Sequence, residues 1–84
     1  MKYKEVLLKN VSKIHTTKMG IDRIRKNLKL PVTTDPVKKC IEKLKNEESI
    51  VIKNGKNYYV TLNNEIITIN SSSYTIITAH KINK

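Results

Sequence analysis

The chain has 84 residues, with 17 Lys and Arg against 7 Asp and Glu, a formal charge of +10, one Cys, two His, and neither Trp nor Phe. That length allows one domain, residues 1–84, burying roughly 60–65% of its unfolded surface. Lone Cys40 excludes an internal disulfide and a cysteine zinc site and points to a reducing, cytoplasmic setting, while Val6-Leu7-Leu8 is too short for a signal-peptide core or a membrane span.

The first periodic segment, residues 3–14, sets Tyr3, Val6, Leu7, Val11 and Ile14 at helical spacing. His15-Thr16-Thr17 interrupts it, and Thr17 is suited to N-cap a second helix. That helix carries Ile21, Ile24 and Leu28 on one face, with Asp22 and Lys26 as an i,i+4 pair. Leu30-Pro31 is expected to end it, because the residue before Pro is pushed out of helical geometry. Asp35-Pro36 starts a third helix, an Asp cap followed by Pro in the first turn. Val37, Cys40, Ile41 and Leu44 line its apolar face, so Cys40 reads as a small buried hydrophobe rather than a nucleophile.

Four strands follow: 49–53, 57–62, 65–70 and 74–80. Asn54-Gly55 predicts a type I′ hairpin turn, Asn63-Asn64 can form the same turn, and Ser71–Ser73 a three-residue one. Counting from these turns pairs Val51 with Tyr58, Val60 with Ile67, Tyr58 with Ile69, Ile69 with Thr75, and Ile67 with Ile77 on a dry face. The wet face pairs Tyr59 with Thr68, Asn57 with Asn70, Asn70 with Tyr74, and Ile66 with Thr78. The expected architecture is α+β, with two to three helices (about 3–46) packed on one side of a four-stranded antiparallel meander (about 49–81). The other side is concave or partly covered, the first helix being one candidate cover.

The charge narrows the partner class. An AT-rich genome produces a Lys-rich chain without selection, but the scarcity of acids favours RNA or another polyanion, a membrane surface, or an acidic protein. On the wet face, Asn57, Tyr59, Asn70 and Tyr74, with Lys53, Lys56 and Lys81, are the expected nucleic-acid contacts. Tyrosines there would stack on bases, contributing about 1–3 kcal/mol each. The bland reading makes them cover for a sheet face. His15 and His80 stand at element ends, and Arg23 shares a helical flank with Gly20 and Asn27. Those side chains fit metal-independent RNA cleavage. His15 and His80 would act as base and acid, with Arg23 or Lys56 stabilising the phosphorane. The competing reading leaves both histidines and Arg23 as ordinary surface groups. There is no glycine-rich phosphate loop, no carboxylate pair and no nucleophile motif, and no metal or cofactor is expected. The 30–34 connection is longer than a helix-turn-helix joint requires.

At His15–Gly20, Arg23-Ile24, Asn27-Leu28, Gly55–Val60, Ile67–Asn70 and Tyr74–Lys81 the chain resembles a small bacterial family known only as a domain of unknown function. A weaker pattern is similar to RelE/barnase-type ribonuclease toxins: a histidine and arginine on N-terminal helices, then a last strand ending in Thr-Ala-aromatic. Here His80 stands where those sequences often carry Tyr. That resemblance implies catalytic roles for His15, Arg23, Thr78 and His80. The alternative is a non-catalytic RNA- or protein-binding module, such as an antitoxin-like partner or a phage-encoded inhibitor. Oligomeric state is left open, a homodimer included.

Overall fold

The computed structural model describes residues 2–82. Three helices, α1 (Lys2–Lys9), α2 (Lys18–Asn27) and α3 (Pro36–Lys45), precede four strands, β1 (Ile50–Asn54), β2 (Asn57–Leu62), β3 (Glu65–Asn70) and β4 (Ile76–Lys81). The sheet is an antiparallel meander in the order β1-β2-β3-β4, the α+β arrangement expected.

Local chemistry decides most helix ends. The first segment is shorter than its periodicity predicts, because Asn10 competes with the helix. Its Nδ2 donates to the Val6 carbonyl (2.8 Å), the acceptor its own N–H would use to continue an α-helix. That N–H turns instead to Leu7 O (3.1 Å), and the chain tightens into a single 3-10 turn at Val11–Lys13. Thr17 caps α2 as expected, accepting from Gly20 N at 3.0 Å. Asp35 caps α3 through Oδ1, which accepts from Val37 N (2.9 Å) and Lys38 N (3.3 Å), with Pro36 in the first turn. The expected Asp22–Lys26 pair is not among the ion pairs of the described residues; Lys43–Glu65, which ties α3 to β3, and Lys39–Glu42 are.

α2 ends ahead of Leu30-Pro31. Leu28 is the C-cap, and Lys29 follows with φ +54°, in the left-handed region. Leu30 N donates to Arg25 O (2.9 Å) and Lys29 N to Lys26 O (3.3 Å), the two bonds of a Schellman ending. The position that glycine usually fills is a lysine here.

The faces of β1, β2 and β3 came out as expected, though with a different β1–β2 register, while the start of β4 did not. Only Gly55, at φ +63°, takes positive φ in the first hairpin, so the turn centres on Gly55-Lys56 and Val51 pairs with Val60 instead of Tyr58. A displacement of two residues leaves every side chain on its original face. The Val60–Ile67, Tyr58–Ile69, Tyr59–Thr68 and Asn57–Asn70 pairs are as predicted. Between β3 and β4 an irregularity at Thr68/Ile69 pairs Ile69 with Ile76 and Ile67 with Ala79. Consequently Ile76 (1% exposed) and Ala79 (0%) enter the core, while Ile77, expected there, is 42% exposed. Thr78 and His80 stay on the open side, opposite Thr68 and Ile66.

All three helices lie on the dry face. Leu7, Ile14, Ile24, Leu28, Cys40 and Leu44 join Val51, Tyr58, Val60, Ile67, Ile69, Ile76 and Ala79 in one apolar cluster. The Tyr3 ring tilts over Tyr58 on that side (centroids 5.9 Å apart), so α1 does not cover the open face. Cys40 is buried, and that burial pushes its thiol up to about 12, which removes it from thiolate chemistry.

Candidate functional site

β4 is an edge strand, and α2 runs beside it in the same direction. At the start of β4, residue 15 joins the sheet edge. His15 N donates to Tyr74 O (3.2 Å) and Ile76 N to His15 O (2.7 Å). Thr16 Oγ1 then donates to Ile76 O at 2.8 Å. Gly20 allows this approach, because a Cβ on it would overlap Thr16 Oγ1. The neighbour that Gly20 makes room for is thus Thr16 rather than a ligand.

His15 is exposed and held at both ring nitrogens. Nδ1 lies 2.8 Å from Lys13 O, and a carbonyl only accepts, so Nδ1 carries the proton. In the neutral ring Nε2 is then an acceptor, 3.1 Å from Thr75 Oγ1, which lies 2.7 Å from Ser73 Oγ. At the far end of β4, Asn27, Lys29, His80 and Lys81 line an open pocket of about 350 Å³. Lys81 shares the helix-side parity of Ala79, whereas His80 projects to the open side, so the pocket straddles the strand edge. None of its four lining residues is acidic.

Arg23 and Thr78 fall between the two ends. Arg23 is exposed and lies one turn before Asn27 on the same flank of α2. Thr78 is half-buried beside Thr68 on the open face. His80 lies five positions beyond Thr75, which touches His15, or about 16 Å at ~3.3 Å per strand residue. The expected acid–base pair is therefore not assembled, since one phosphodiester cannot reach both rings. His15 and His80 instead mark the two ends of a seam, with Asn27, Lys29 and Lys81 gathered at the His80 end and Arg23 one helical turn back.

The open face differs in character from the seam. Its cross-strand rows are Ile52–Tyr59–Thr68–Thr78 and Ile50–Thr61–Ile66–His80, with Asn57 opposite Asn70 at one end. No lysine, arginine or carboxylate occupies these positions, and Ile50 and Ile52 are 53% and 55% exposed. Lys53 alternates to the side of Tyr58, and Lys56 sits in the hairpin turn, so neither adds charge to the rows.

Two expected contact residues have structural work. Asn70 Oδ1 accepts from Ser72 N (2.9 Å), Ser73 N (3.0 Å) and Ser73 Oγ (3.2 Å), closing the serine turn. Tyr74 leaves that turn at φ +59° and packs half-buried against the core, with Lys13 Nζ 5.8 Å from its ring centroid. It is thus off the open face, because the strand resumes only at Ile76. Tyr59 remains there as the one aromatic in the rows. Lys29 escaped the sequence reading altogether. The signal available was the missing glycine between α2 and Pro31, visible only once the helix is known to end at Asn27.

Among the described residues no cluster of His, Cys, Asp and Glu could hold a metal ion, and no helix is long and apolar enough to cross a membrane. A family model described as "Protein of unknown function (DUF3781)" matches residues 8–80. No curated protein and no solved structure matches the chain, so the comparisons lend no support to the likeness with RelE/barnase-type ribonucleases.

Proposed function

The chain belongs to the DUF3781 family, whose description assigns no activity, and we propose that it is a non-catalytic binding protein for single-stranded RNA. One observation carries this reading: α2 and β4 lie side by side and gather Asn27, Lys29, His80 and Lys81 around one pocket at the end of the sheet edge, with Arg23 one helical turn back along the same flank. A donor-lined pocket with a further cation one helical turn away suits a chain carrying successive phosphates. The backbone follows the seam, and the bases lie inward over the charge-free rows. Tyr59 stands two strands in from β4, about 10 Å at ~4.8 Å per strand, within reach of a base attached to that backbone.

Fluorescence anisotropy with labelled single-stranded and duplex RNA across a salt series tests the proposal. Three cationic contacts, Arg23, Lys29 and Lys81, on a single strand give a slope of log K against log salt of about −2. Single strands should bind more tightly than duplex, and Arg23→Ala should weaken binding and flatten the slope. No binding at 50 mM salt, or a slope near zero, refutes the reading.

RNA cleavage is the second reading, and His15 is what favours it. Its ring is anchored through Nδ1 while Nε2 receives a hydroxyl, the arrangement a 2′-hydroxyl would adopt toward a general base. Incubating long RNA with the protein and its His15→Ala variant distinguishes the two readings. Products formed only by the parent chain establish turnover.

A further inference from the structure

We infer that the pocket lined by Asn27, Lys29, His80 and Lys81 is a site for one phosphoryl group, and that Lys29 holds a left-handed backbone conformation in order to line it. This rests on the RNA reading and deepens it, assigning one phosphate of the bound strand to a named place. The argument begins with the backbone. Lys29 sits at φ +54° in the C′ position of α2, where glycine is favoured because a Cβ is disfavoured in that region. A residue kept in such a conformation points to a role for its side chain. Here that side chain lines an open cavity with a second lysine, a histidine and an amide.

The chemistry of the lining selects the ligand. Two ammonium groups, an imidazole and a carboxamide supply many donors and no carboxylate, which suits an oxyanion and repels a cation. The carbonyl end of a helix usually disfavours an anion. In α2 the carbonyls of Arg25 and Lys26 are already engaged by Leu30 N and Lys29 N, so these two are not free acceptors facing the pocket. At about 350 Å³ the cavity lies at the small end of ligand pockets, with room for a phosphate and part of its sugar.

The test is an amide NMR titration of the full chain with inorganic phosphate, followed by a single-stranded RNA of about eight nucleotides. The site predicts saturable shifts concentrated at Asn27, Lys29, His80 and Lys81. Lys29→Gly should weaken phosphate binding at least about fivefold and reduce the RNA salt slope by about 0.7, the value for one single-strand phosphate. Lys38→Ala, an exposed lysine on α3, should leave phosphate binding unchanged. Thermal melting should show that Lys29→Gly is at least as stable as the parent, so loss of binding is not loss of fold. Shifts spread over surface lysines without saturation overturn the site, as does parental phosphate affinity in Lys29→Gly. If phosphate saturates the pocket and RNA does not bind, the site stands and the RNA reading fails. If Lys29→Gly binds RNA with the parental slope, the site fails and the RNA reading stands.

Discussion

Lys29 also makes a prediction about stability. A side chain in the left-handed region costs about 1–2 kcal/mol relative to right-handed geometry, and Lys29 bears this at φ +54°. Two effects oppose the gain on Lys29→Gly. Glycine makes the unfolded chain more flexible, by about 0.4–1 kcal/mol. Removing a cation from a helix C-terminus costs about 0.3–1 kcal/mol at an exposed site. The net is a small gain, about 0.2 kcal/mol, or roughly 1 °C in melting temperature for a domain of this size. Lys29→Ala isolates the backbone term, because alanine loses the same charge and keeps the Cβ. The glycine variant should exceed the alanine variant by about 1 kcal/mol, while the two bind phosphate equally weakly. Urea denaturation of the three proteins at neutral pH measures both differences. If the alanine variant equals or exceeds the glycine variant, Lys29 is not strained and the argument from its conformation fails.

Tyr59→Ala should reduce single-strand RNA affinity by about 1–3 kcal/mol, measured by anisotropy, with the salt slope unchanged because no charge is lost. Gly20→Ala should destabilise the fold by about 1–3 kcal/mol through overlap with Thr16. The cost should shrink when Thr16→Ala is added, a coupling read from a double-mutant cycle in denaturant. Cys40 gives a pH effect of known sign. Its folded thiol is held at about 12 against 9.0 in a free chain, so the unfolded chain ionises first. Its stabilising contribution is complete below about pH 9 and is lost as pH rises toward about 12. Stability measured between pH 8.5 and 11 should therefore fall less steeply in Cys40→Ala, by up to about 1.4 kcal/mol per pH unit. Equal slopes would mean that the thiol is not desolvated.

How far the sequence reaches depends on the range of the forces involved. Thr17 and Asp35-Pro36 act on backbone groups two or three residues away, so these helix starts were legible without coordinates. Strand alternation survived an error in the β1–β2 register because side chains repeat every two residues and the displacement was even. The α+β architecture and the burial of Cys40 followed from such local patterns.

The candidate site was legible in part. His80, Arg23 and Lys81 were visible as residues, but their arrangement as a seam required knowing that α2 lies against β4. The distance between His15 and His80 depends on where each meets β4, which no local pattern encodes. Tyr74 left the open face because the serine turn ends in a left-handed residue and β4 restarts at Ile76 around a bulge. Local sequence thus determined which segments are helix or strand and which strand faces are apolar. Packing decided how β3 and β4 register, which of Ile76 and Ile77 enters the core, and which distant residues share a pocket, because those outcomes balance contacts between segments far apart in the chain.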